Sequence, residues 1–445
     1  RVGSAKLNGP FTMTRLRIGQ RRTTLNPPNE SKLAIDGGEP VAREPFPSGM
    51  LGPAAIGEEE VEAVASVVRS QRIFRFLDHE NSHCTRLERL FAEMTGCPHA
   101  LAVGGGTAAL ICGLIGIGVG EGDEVIVPGY TYIASASAIL ICNAVPVIAE
   151  IDESLTMDPD GIERLITPRT KAVMPVHMRG IPCDMDRIMA VAAKHGLRVI
   201  EDCAQACGGS YKGRRLGSIG HAGCFSLQQY KVITAGEGGM VVTRDRTIFE
   251  RAAIRHDSAM CFWNPDDTTS GPFPGENFRM NEMEGALGCV QFGRLEGILA
   301  RTRELYKRIH AGIADCPGIQ PHRTNDPEGD CGISVAVLLE NGARAKWFAE
   351  ALRAEGIPAG SMYDQGIPDR HIYRFWEYVM EKRSADAHGR PWTSPLHDGS
   401  RAYHPDMCPR TLDILGRTVI IGLSQTYGDQ HADYIIEAIR KVAKG

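Results

Sequence analysis

Two long stretches of this chain contain no charged residue, Leu101–Gly120 and Val125–Ala149. Charged residues make up 23% of the 445 positions, so runs of this length belong where charge is excluded, in a membrane or in a protein core. A membrane-spanning helix needs about 20 continuous apolar residues. The first stretch holds seven glycines, and the second is interrupted by Pro128, Asn143 and Pro146. Both therefore read as buried strands and helices of an α/β core. Strands covered on both faces show continuous apolar runs rather than alternation.

The flanking segments alternate to match. "GEEEVEAVASVVRS" has the period of an amphipathic helix, and "DEVIVPG" and "VPVIAEID" are short apolar strands joined by a helix within "TYIASASAILICNA". "TKAVMPVH", "DMDRIMAVAAKHG" and "LRVIEDCAQ" repeat strand, helix, strand. "KGRRLGSIGHAGCFSL" and "GGMVVTRD" add strands, and a long helical region runs over about 281–314. After "CPGIQPHRTNDPEGDCG" the pattern restarts with "ISVAVLLE", a helix near "ARAKWFAEALRAEG" and a final helix in "DQHADYIIEAIRKVAKG". The expected fold class is α/β, a mainly parallel mixed sheet between helices, followed by a smaller α+β domain. The expected division is a disordered leader over 1–30, a large domain with an N-terminal arm over 31–300, and a small domain over 301–445. The basic leader lacks the apolar core of about 7–15 residues that a signal peptide needs.

Composition narrows the function classes. The net charge is −5 with scattered basic residues, which excludes a nucleic-acid footprint. The thirteen cysteines lie mostly singly in apolar runs, the usage of reduced thiols in a cytoplasmic protein. Cys203 and Cys207 are four apart without a second ligand pair, so no metal site is expected there.

In open α/β sheets ligands sit beyond the carboxyl ends of the strands, and three segments fall at such ends. "VGGGTAAL" is a glycine-rich turn between a strand and a helix. Its backbone N–H groups and the Thr107 hydroxyl would cradle an anion, although a plain turn reads the same way. "VIEDCAQ" ends a strand with Glu201 and Asp202; a carboxylate there serves as a cap or ion pair, or holds a protonated ring nitrogen. "FSLQQYKVITAGEGG" sets Lys231 among apolar and glycine-rich neighbours, with Ser226 five residues earlier. Desolvation lowers a lysine's pKa, and a neutral amine attacks carbonyls to form a Schiff base. Phosphate cradle, strand-end aspartate and lysine together match the needs of pyridoxal 5′-phosphate.

With these motifs in order, the chain resembles the DegT/DnrJ/StrS family of sugar and cyclitol aminotransferases, of fold type I in the aspartate aminotransferase superfamily. The likeness runs from "LAIDGGEPV" through "GTAAL", "GDEVIVPGYTYIASASAI", "VIEDCAQACGGSYKGRRLGSIG", "FSLQQYKVITAGEGGMVVT" and "NFRMNEMEGALG" to "CPRTLDIL". The resemblance implies that Lys231 is the Schiff-base lysine, Asp202 the partner of the ring nitrogen, and Gln205 the residue near the ring hydroxyl. It implies phosphate contacts from Gly106, Thr107 and Ser226, ring stacking by Tyr132, and His177 beside the substrate. It also implies that Asn277 reaches the phosphate of a neighbouring subunit, so that a homodimer completes the site. The implied reaction moves an amino group from glutamine or glutamate to a keto-sugar or cyclitol ketone, with Lys231 as acid and base.

Two segments depart from the family pattern. "LQQYK" replaces the usual aromatic and proline, resembling instead cyclitol aminotransferases and 3-amino-5-hydroxybenzoate synthases. Gln228 and Gln229 would offer amides to ring hydroxyls, one of them facing away, and Tyr230 would narrow the pocket. "HMRG" sets Arg179 where an aromatic often stands; an arginine there suits a carboxylate or phosphate, or a structural ion pair. The aromatic-rich "SMYDQGIPDRHIYRFWEY" reads as a pocket-closing loop or a packed short helix, and "WNPDDTTSGPFPGEN" as a surface loop.

Overall fold

The computed structural model describes residues 32–78, 80–258, 269–362, 368–397 and 399–445. The leader expected over 1–30 and parts of the Gly/Pro-rich loop and the aromatic-rich segment, 263–268 and 363–367, lie outside the described residues.

Thirteen strands are formed among the described residues. Seven build the main sheet: β1 His99–Val103, β2 Glu124–Pro128, β3 Val145–Ala149, β4 Thr170–Val173, β5 Arg198–Asp202, β8 Ala222–Ser226 and β9 Gly239–Thr243. Their order is β1-β9-β8-β5-β4-β2-β3. Only β9 runs antiparallel, pairing with β1 on one side and β8 on the other. β6 (Ser210–Tyr211) and β7 (Arg214–Arg215) form a small hairpin. The charge-free runs are the strands and helices of this core: β2 and β3 are buried at every position, as is most of the helix Gly106–Gly116.

Packing follows from which faces the strands present. Phe225 of β8 and Phe91 of the helix His83–Thr95 meet edge to face at 5.3 Å between ring centres, and Phe292 lies 5.3 Å from Phe91. Fully burying each ring contributes about 1.5–3 kcal/mol. The helix Glu282–Ile313 begins where a capping box permits, Asn281 Oδ1 accepting from the backbone of Met283 and Glu284.

A second sheet, antiparallel throughout, has the order β10-β11-β13-β12 from Gln320–Pro321, Ser334–Leu338, Thr418–Gly422 and Ala359–Ser361. Residue 300 falls inside the 32-residue helix Glu282–Ile313, which serves both cores. Leu295, Ile298 and Leu299 join the main core, whereas Leu305, Ile309 and Ile313 join the core of the second sheet. The N-terminal arm packs on the second sheet too: Glu355 accepts the N–H groups of Ala34 and Val41 at 2.8 and 3.0 Å and pairs with Lys441. Conversely, Tyr373, Trp376 and Trp392 return to the main sheet, burying themselves against Val145 and Ile148 of β3.

Candidate active site

The antiparallel insertion of β9 brings distant segments together. Its first residue, Gly239, pairs with Val103 at the end of β1 and with Ser226 at the end of β8. The turn after β1 is thereby pressed against Ser226. A Cβ built on Gly106 would stand 2.7 Å from Ser226 Cβ and 2.9 Å from its Oγ, and one on Gly239 would stand 2.4 Å from the Gly105 carbonyl. Only glycine permits both approaches. The helix Gly106–Gly116 starts at Gly105 with no side-chain cap, and the space beside Gly105 is open. The first-turn N–H groups of an uncapped helix, with the positive end of its dipole, form an anion site. Thr107 is exposed there, and Ser226 Oγ already accepts the Gln228 N–H at 3.3 Å.

At the end of β5, Asp202 and Glu201 point to opposite faces and have different lives. Asp202 is 4% exposed; its Oδ2 accepts from Ser135 Oγ at 2.7 Å and its Oδ1 from the Ala204 N–H at 3.0 Å. Ser135 in turn shares a hydrogen bond of 2.7 Å with Thr131. Ser135 was not picked out from sequence, where "SAS" in a buried helix carries no signal. Glu201 is sealed below, accepting the N–H groups of Gly217, Ile219 and Gly220 at 2.9, 2.7 and 2.6 Å.

Lys231 follows β8 on a tight turn, its N–H donating to the Gln228 carbonyl at 3.0 Å. Burial pushes its amine below the usual lysine range, and the carboxylates of Asp202 and Glu237 only partly restore it. This is the electrostatic setting for a lysine that works as amine and base.

The remaining expected residues divide. Gln205 turns its Oε1 to the Arg179 N–H at 3.0 Å, and Tyr132, 48% exposed, faces His371 with ring centres 5.3 Å apart. Asn277 is exposed, next to the Phe278 carbonyl that accepts the Gly104 N–H at 2.7 Å. His177 departs from expectation. Its backbone N–H binds the Asp202 carbonyl, but its ring is 0% exposed and turned the other way. Nδ1 accepts the Cys183 N–H at 3.1 Å, so the proton sits on Nε2 and is donated to Glu201 at 3.1 Å. The expected place beside a substrate is thus not where this ring points: both its nitrogens are engaged within the chain, as a buried brace between Cys183 and Glu201.

Gln228, Gln229 and Tyr230 also depart from expectation. Gln228 Oε1 closes the local turn by accepting the Tyr230 N–H at 2.8 Å, Gln229 is exposed, and Tyr230 is 72% exposed. Within one chain none of them narrows the pocket, because the turn that positions Lys231 sends their side chains outward. His177, Glu201 and Cys203 place three ligand-type atoms within 4.8 Å of one another, yet the acceptors are already committed to backbone N–H groups. The aromatic-rich segment divides between packing and site. Tyr373 and Trp376 are core, while residues 370–372 run beside Tyr130–Ile133 and hold His371 over the site edge.

Arg179 was expected to meet an anion or an ion pair. It stands at φ 55°, in the left-handed region, where a residue with a Cβ costs about 1–2 kcal/mol. Its Nε donates to the hydroxyl of Tyr130, a residue with no exposed surface, at 2.7 Å.

Comparison with known proteins fits this geometry. The model of the DegT/DnrJ/EryC1/StrS aminotransferase family matches residues 54–398. The spore coat polysaccharide biosynthesis protein SpsC of Bacillus subtilis is 32% identical over 399 residues, covering 88% of this chain and 96% of that protein. The L-glutamine:2-deoxy-scyllo-inosose aminotransferase of Streptomyces kanamyceticus is 36% identical over 354 residues, covering 76% of this chain and 82% of that one. Among solved structures, S. venezuelae DesV superposes with a TM-score of 0.71 at 31% identity, covering 87% and 95% of the two chains. The 3-amino-5-hydroxybenzoic acid synthase gives 0.74 at 27% identity, covering 90% of this chain and all of that one. No helix among the described residues is long and apolar enough to cross a membrane.

Proposed function

Because the chain belongs to the DegT/DnrJ/EryC1/StrS aminotransferase family, and so is a pyridoxal 5′-phosphate-dependent aminotransferase, we propose that it moves an amino group from glutamine or glutamate to a ketone of a cyclitol or sugar. The observation that carries the reading is that Lys231, Asp202 and the uncapped helix at Gly106 all lie at or follow the carboxyl ends of strands of the main sheet. The substrate class rests on relatives such as the scyllo-inosose aminotransferases, which align over three quarters of the chain.

The residues fit the cofactor. The open space at Gly105, the free first-turn N–H groups and Ser226 would hold a phosphate. Asp202, kept in place by Ser135, would hold the ring nitrogen protonated, Tyr132 would cover the ring, and Lys231 Nζ would carry the Schiff base. When bound, the cofactor supplies an electron sink for negative charge on the substrate carbon. Once the donor's amine had displaced it, Lys231 Nζ, with its lowered pKa, would take the proton from the donor's carbon and hand it on within the same half-reaction, and in the second half would deliver a proton to the former ketone carbon. His177 and Glu201 hold the Asp202 backbone from below. The active form in this reading is a homodimer, the exposed Asn277 reaching into the partner's phosphate site.

Mixing the cofactor-loaded protein with glutamine, then with a panel of inososes and nucleotide keto-sugars, tests the proposal. The visible band of the lysine-bound cofactor should disappear with the donor and return with a cyclitol ketone. Lys231→Ala should abolish turnover. No spectral change with glutamine or glutamate, or a Lys231→Ala protein with full turnover, would overturn it.

A further inference from the structure

Among the described residues, Arg179 is a cation beside Gln205 and Tyr130 whose charge the reaction as described does not use. Its backbone is fixed on one side by Gln205 Oε1 at 3.0 Å and followed by Gly180 at φ 80°, so the left-handed bend that aims the side chain is imposed by its surroundings. Its Nε is taken by the buried Tyr130 hydroxyl at 2.7 Å. That leaves Nη1 and Nη2 without a hydrogen bond or salt bridge among the described residues. One charge that feels it is Asp369. Burial raises the Asp369 carboxyl, but His371, which donates to it from its ring and backbone at 2.8 and 2.9 Å, and Arg179 together bring it below the usual range. Asp369 is thus already satisfied by His371, and Arg179 adds only field.

A guanidinium held by Nε, with both Nη groups presented together, is the geometry for a bidentate anion. The reading above supplies one such group in each cycle. A cyclitol ketone is a neutral polyol, and a nucleotide keto-sugar carries its charge on a diphosphate away from the reacting ketone, whereas the amino donor always carries a carboxylate on the reacting carbon. We propose that Arg179 is the donor-carboxylate anchor, with Tyr130 as the residue that positions it. This rests on the aminotransferase reading and sharpens it. Arg179 would distinguish an α-amino acid from an amine without a carboxylate, and would be idle in the half of the reaction that aminates the ketone.

Single-turnover loss of the cofactor's visible band tests it, using L-glutamine (or L-glutamate, whichever reacts) and the same donor with its α-carboxylate replaced by a neutral amide. Arg179→Gln should raise the half-saturating concentration of the amino acid roughly 10- to 100-fold, the loss expected for charge-assisted hydrogen bonds. The limiting rate, the bound cofactor and the response to the amide should stay the same, and Arg179→Lys should recover part of the loss. Unchanged half-saturation in Arg179→Gln, or an equal loss with both donors, would overturn the anchor and leave the aminotransferase reading standing. A wild-type protein that reacts with neither amino acid would remove that reading and this inference together.

Discussion

Replacing Gly106 with alanine tests the close approach that builds the proposed phosphate site. Gly106 does not need the left-handed region, so backbone preference is not the obstacle. In a helix the exchange gains at most about 1 kcal/mol. Against this, the new methyl would lie 2.7 Å from Ser226 Cβ and 3.4 Å from its Cα, whereas carbon atoms rest at about 3.5–4.0 Å. Ser226 cannot yield by changing rotamer, because the clash is with its Cβ and its backbone is paired to Gly239. Overpacking of this kind costs about 1–3 kcal/mol, which exceeds the helix gain. The expected net loss is about 1–2 kcal/mol, roughly 5- to 30-fold in the unfolding equilibrium. Urea unfolding of the cofactor-free protein would read it as a lower midpoint at constant slope. Ser226→Gly in the same chain should restore part of the loss by removing the clashing atom. A Gly106→Ala protein as stable as wild type, or a pair in which Ser226→Gly restores nothing, would refute the contact.

Two further changes probe the site and a buried acid beside the long helix Glu282–Ile313. Ser135→Ala removes a hydrogen bond to a buried carboxylate, worth about 1.5–3 kcal/mol; cofactor retention should fall about tenfold or more, and unchanged dissociation would count against Asp202 as its partner. The buried Asp330 carboxyl accepts the Gly332 N–H at 2.7 Å with one oxygen, and burial pushes its pKa up to about 7. The unfolded value is about 3.9, so the folded chain holds the proton more tightly. Stability from this group is present below about pH 4 and is lost as pH rises toward 7, on the order of a few kcal/mol. Asp330→Asn should flatten the pH dependence of unfolding in that window, and an unchanged slope would contradict the assignment.

Much of the architecture was legible in the residues because it rests on local pattern. The charge-free runs required a doubly covered sheet, and β2, β3 and the helix Gly106–Gly116 are buried as that pattern demands. The long helix starts within one residue of the expected 281, where the structure shows a capping box between Asn281 and Glu284. The lysine, the strand-end aspartate and the glycine turn also stood out, since each is an unusual residue type for its surroundings. What the residues could not show was direction. A strand's period of two places Glu201 and Asp202 on opposite faces but does not say which face holds the site. Nor does a histidine at a strand end reveal that its ring turns down to Glu201 and not up to a substrate.

The sequence by itself therefore determined the fold class through burial periodicity, and pointed to the chemistry through a glycine turn, a strand-end aspartate and a lysine whose combination, and none of them singly, matches a phosphate-bearing carbonyl cofactor. Only the tertiary structure decided how they meet. β9 inserts antiparallel and seats Gly239 between Val103 and Ser226, pressing Gly106 against Ser226. The left-handed bend at Arg179 and the turn at Lys231 then choose which neighbours face inward. Those choices depend on hydrogen bonds between residues far apart in the chain, which no local pattern records.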